Sequence, residues 1–90
     1  MNAQETNKTP DAAVALAALE WLLADNVRAS RLLAVTGLTP QGLRNGLDDS
    51  AVLGAILAFL EAHEPDLIAC AQAIGREPAA LVAARQGLER

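Results

Sequence analysis

The sequence holds one histidine, His63, and one cysteine, Cys70. A thiol and an imidazole suggest nucleophilic chemistry, but a reactive thiolate needs a cationic neighbour or a helix N-terminus. Cys70 lies between Ala69 and Ala71 within an apolar helical pattern, so it reads as a small core hydrophobe. His63 stands before Glu64-Pro65 and reads as a helix end or a solvent-facing turn, where its positive form would meet a favourable dipole. One histidine and one cysteine fall short of a zinc ligand set, and no Cys-x-x-Cys or His-Glu-x-x-His spacing occurs. Asp48-Asp49-Ser50 could be imagined as an acid–base or metal pair. Three residues of N-cap type before an apolar helix are explained by capping. Gly37 and Gly42 follow a helix rather than a strand, the wrong context for a phosphate-binding loop. The sequence therefore predicts no catalytic residues, no cofactor, no metal and no enzyme.

The remaining candidates are basic. Asn26–Leu47 contains Arg28, Arg31 and Arg44 without an acid, whereas Asp48–Asp66 contains five acids without a lysine or arginine. A helix, the turn Gly37-Leu38-Thr39 and a second helix in the basic stretch invite a helix-turn-helix reading, with Arg28, Arg31, Arg44 and Asn45 facing DNA. The fit is partial. Leu33 stands where a small residue is usual, and Gly42 and Gly46 weaken the helix that would read bases. Three arginines give little phosphate anchoring beside the roughly six to ten contacts that make affinity useful. A formal charge of −4, no tyrosine, one tryptophan and one phenylalanine also disfavour a nucleic-acid surface built on stacking. The better expectation is a non-enzymatic protein-interaction module, meeting a protein partner or a second copy of itself. Its candidate interaction surface is Arg28, Arg31, Arg44 and Asn45, and weak helix-turn-helix DNA binding through residues 26–47 is the alternative.

These residues must be positioned by a small scaffold. Ninety residues make one domain, and 20 of the residues are alanine, so the core is modest. Met1–Lys8 reads as a disordered tail, followed by a single all-helical domain over 9–90. The four prolines, Pro10, Pro40, Pro65 and Pro78, each precede a helical apolar pattern and read as helix starts. Helices are expected over 10–25, 27–36, 40–47, 50–63, 65–74 and 78–88, and strands are not. The first and fourth carry apolar residues around most of their circumference, so both should be central. The fold class is all-α, a compact bundle of five to six short helices.

Sliding the chain against itself by 38 residues aligns Val14 with Val52, Leu19 with Leu57, Leu22 with Leu60, Gly37 with Gly75, Pro40 with Pro78 and Leu43 with Leu81. Trp21 then falls on Phe59. The match suggests two pseudo-repeats of three helices, about 10–47 and 50–88, sharing one core around those aromatics. A lone cysteine suits a reducing cytoplasm. The apolar run Ala12–Ala24 is too short for a bilayer, contains Glu20, and lacks a basic region before it. Neither a membrane nor secretion is expected.

The segments LEWLLAD (Leu19–Asp25), LLAVTGLTPQGLR (Leu32–Arg44) and VLGAILAFLEAHEPDLIACAQAIG (Val52–Gly75) resemble domain-of-unknown-function family 3572, a group of short alphaproteobacterial proteins. The most specific element is carried by Thr36, Gly37, Leu38, Pro40, Leu43 and Arg44, supported by Phe59, Leu60 and Cys70. Gln41 and Gly42 stand where members of that family usually carry acids. The resemblance implies a small cytoplasmic bacterial protein, and it brings no catalytic residues with it.

Overall fold

Side-chain caps and prolines set where the helices begin. In a computed structural model describing residues 9–90, Thr9 accepts a hydrogen bond from the Ala12 amide at 3.2 Å, and α1 runs Pro10–Leu23. Asp25 accepts from Val27 and Arg28 and opens α2, Asn26–Thr36. Thr39 accepts from Gly42 and opens α3, Pro40–Asn45. Asp49 accepts from Ala51 at 2.8 Å and opens α4, Ser50–Glu61. Asp49 thus supplies a cap, satisfying an amide that the helix leaves without a partner. The last two helices, α5 at Glu64–Ala73 and α6 at Pro78–Leu88, carry proline at their second and first positions and have no side-chain cap. The expected tail over Met1–Lys8 lies outside the described residues.

The expected helices are present, and α1, α3 and α4 each end two residues sooner. Gly37 and Gly75 adopt φ of 76° and 75°, the left-handed conformation that ends a helix without steric cost only in glycine. Among the described residues there is no strand. The core joins Ala15, Ala18, Leu19 and Leu22 of α1 to Leu53, Ile56, Leu57, Phe59 and Leu60 of α4, with Leu32, Cys70, Ala71, Leu81 and Ala84 closing it. α6 lies along both α1 and α4, and its contact with α4 is the most extensive in the molecule. Alanines at 15 and 18 let α1 approach its neighbours closely, which is how few large side chains fill the space. No single helix among the described residues is long and apolar enough to cross a membrane.

Several residues paired at the 38-residue spacing are alike in burial. Leu22 and Leu60, Leu32 and Cys70, and Leu43 and Leu81 are all buried. The aromatic pair is less equal: Phe59 is buried, whereas Trp21 is partly buried at the margin of the core. The larger departure concerns α1. It is central as expected, packed against α2, α4, α5 and α6, yet Leu16 and Leu23 of its apolar circumference face outward, 36% and 46% exposed.

An open apolar groove as the candidate functional site

The predicted basic residues are drawn into the protein's own contacts. Arg28 lays its guanidinium over Trp21, with Cζ 3.8 Å from the ring centroid, and Nη2 donates to the Trp21 carbonyl at 3.1 Å. This arrangement covers the margin of the core and joins cation–π attraction to a charge-assisted hydrogen bond. The Arg28 Nε is buried there without a hydrogen-bond partner. Arg31 donates to Asp66 at 3.1 Å, tying α2 to α5. The charges that are segregated along the sequence therefore meet across the fold. Arg44 and Asn45, on α3, are exposed and share Gln41, whose amide donates to Asn45 and whose carbonyl accepts from Arg44. Arg28 and Arg31 lie one turn apart on α2 but are engaged internally, and Arg44 and Asn45 stand on a helix of six residues.

The other candidates are structural. Cys70 is fully buried, and desolvation pushes its thiol up to about 11, so it is protonated at neutral pH and unsuited to attack. His63 caps the entry to α5 without a side-chain hydrogen bond, its Nε2 3.8 Å from Asp66. Backbone amides, Arg28 first, hold the Asp25 carboxyl below its ordinary range, which keeps the α2 cap ionised.

What the structure adds is a groove. Leu16, Glu20 and Leu23 form an outward stripe on α1, one or two turns apart. Facing them is Leu47, 40% exposed, in the link between α3 and α4. Two hollows meet here. One, wide and shallow, is lined by Leu16, Ala17, Glu20, Leu23 and Leu47. The second, about 270 Å³, is lined by Leu19, Leu23, Leu33, Pro40, Leu43, Arg44 and Leu47. Leu19, Leu23 and Leu47 border both, forming a leucine ridge with Glu20 on one side and Arg44 on the other.

The α2–α3 corner builds one wall of this groove. Thr36 donates its hydroxyl to the Leu32 carbonyl at 2.6 Å and accepts from the Leu38 amide, Gly37 reverses the chain, and Pro40 starts α3. Leu43 is thereby buried and Arg44 is left at the rim. These are the residues that carry the family resemblance, and a family model described as "Protein of unknown function (DUF3572)" matches residues 9–90. The chain belongs to the DUF3572 family. No curated protein and no solved structure matches it. In this DUF3572 member the Thr-Gly-Leu-x-Pro-x-x-Leu-Arg segment is a corner and a groove wall. Leu16, Leu23 and Leu47 were missed as surface residues. The signal for them was an apolar stripe in excess of what a six-residue α3 can cover.

Proposed function

We propose that this protein is a non-enzymatic interaction module that docks an apolar helical segment of a protein partner in the groove between α1 and α3. The observation that carries the reading is the uncovered stripe of α1, where Leu16 and Leu23, with Leu47 opposite, remain on the surface beside two hollows. A contiguous apolar patch rimmed by charge is the usual mark of a recognition surface. A helix presenting residues at i, i+3 or i+4, and i+7 is the matching ligand. Duplex DNA is a poorer fit, because Arg28 and Arg31 are paired within the chain and Arg44 has little basic company on α3.

Site-specific photocrosslinking tests the reading. A photoreactive residue at position 23 is expected to give a discrete polypeptide adduct in cells, and Leu47→Arg in the same chain should abolish it. The same probe at position 86, exposed on α6, serves as the control. No adduct at 23, or equal adducts at 23 and 86, overturns the proposal.

A further inference from the structure

We infer that the helical segment received by this groove is the α1 stripe of a second copy of the same chain, in an isologous dimer centred on the Leu23–Leu47 ridge. The inference rests on the docking reading and deepens it by naming the partner.

The groove carries its charges asymmetrically. Glu20 lines only the hollow on one side of the ridge, and Arg44 only the hollow on the other. Both are exposed, and neither forms an ion pair among the described residues. Glu20 is also the one charged residue between Ala12 and Ala24, so the stripe it interrupts is otherwise apolar. A surface with an acid, an apolar ridge and a base in that order is complementary to itself. Two-fold rotation about the ridge sets Glu20 of each copy over Arg44 of the other, while Leu16, Leu23 and Leu47 meet between them. Placing the axis at Glu20 would oppose two carboxylates, and placing it at Arg44 would oppose two guanidiniums. Like charges facing each other are unfavourable, so electrostatics selects the axis on the leucines.

The other half of the molecule shows the alternative to self-association. The positions 38 residues on from Leu23 and Leu47 are Glu61 and Arg85, and those two pair with each other within the chain. Where Leu16 faces outward, the equivalent Gly54 is covered by Leu88, the last residue of α6, and by Glu89 just after it. Helix α6 has 11 residues and α3 has six. The five-residue difference corresponds to roughly 7 Å of helix at 1.5 Å per residue. The α1 stripe is thus uncovered where α3 stops, and a helix from a second copy supplies the missing cover.

Sedimentation equilibrium of the full chain, from micromolar to millimolar concentration, tests this. The expected result is a reversible monomer–dimer equilibrium. Glu20→Arg and Arg44→Glu should each weaken it by about tenfold. The double variant, or a mixture of the two single variants, should return it to the wild-type strength, since either restores two opposite-charge contacts. Leu47→Glu should leave only monomer, with helical circular dichroism confirming that the chain remains folded. A wild-type monomer at every concentration, or a dimer indifferent to these charge reversals, overturns the inference. If the chain is monomeric while position 23 crosslinks to a different polypeptide, the dimer fails and the docking face stands. If both measurements are negative, both fail.

Discussion

The α1–α3 and α4–α6 halves begin alike and end differently. Each has a long helix, a second helix ended by a left-handed glycine, and a third begun by proline. In the second half α6 continues far enough to lie along α4 and against α1, and the residues aligned with Leu16 and Leu23 are small or charged: Gly54 beside Leu88 and Glu89, Glu61 paired with Arg85. In the first half α3 stops at Asn45, and the corresponding residues are Leu16, Leu23 and Leu47. One frame closes on itself, while the other leaves leucines at the surface. Length of the last helix and polarity of the stripe beneath it change together, as they should if the exposed stripe is a surface awaiting a partner rather than an unfinished core.

Substitutions in the core and on the open stripe test how deep this difference runs. The largest contrast is expected between Leu60→Ala, at a fully buried site, and Leu23→Ala, at the outward stripe. Urea denaturation should show a loss of about 2–5 kcal/mol for the first and under about 1 kcal/mol for the second. Exchanging Gly54 for the leucine found at position 16 should cost about 1–3 kcal/mol, because α6 already occupies that space. Leu16→Gly should cost about 1 kcal/mol through helix propensity, with a further contribution from the covered part of the side chain. Gly37→Ala and Gly75→Ala should each cost about 1–2 kcal/mol, with nearly equal changes in melting temperature. Both residues have positive φ and open space around them, so strain is the whole effect. A clear inequality would show that the two corners are not energetically alike.

Leu23→Glu combined with Leu47→Arg transfers the second half's charged pair to the first. Folding stability should change by no more than about 1 kcal/mol, while binding of an apolar dye at the groove falls. A large loss of stability would show that these leucines belong to the core. The smallest effect is pH-dependent and distinguishes the caps of α2 and α5. The depressed Asp25 pKa means that its contribution is present above the unfolded value of about 3.9 and is lost as pH falls through the lower folded value. Hydrogen-exchange protection factors in the first turn of α2, relative to intrinsic rates at each pH, should therefore fall in acid below that range, and Asp25→Asn should flatten the response. α5, begun at His63 without a side-chain cap, has no cap of this kind to lose.

Much of the fold was legible because local chemistry announces helix ends. Thr9-Pro10, Thr39-Pro40 and Asp49-Ser50 mark starts, and Gly37 and Gly75 mark stops. The burial of Cys70 followed from its alanine neighbours. The site was less legible, since apolar periodicity shows which residues avoid water but not which helix is long enough to cover them. Leu22 and Leu23 look equally suited to a core, and only the packing of the neighbouring helices separates them. The pairing of Arg31 with Asp66 was hidden for a similar reason: segregation along a chain says nothing about which segments meet when it folds.

The most direct test compares backbone amide NMR signals of labelled protein in dilute buffer, at high concentration and in extract of its source cell. Signals of residues 16–24 and 43–47 should shift or broaden in at least one of the latter two conditions, while those of their counterparts at 54–62 and 81–85 stay unchanged. Uniform attenuation along the chain, or perturbation centred on 54–62, would contradict the assignment of recognition to the open groove of the first half.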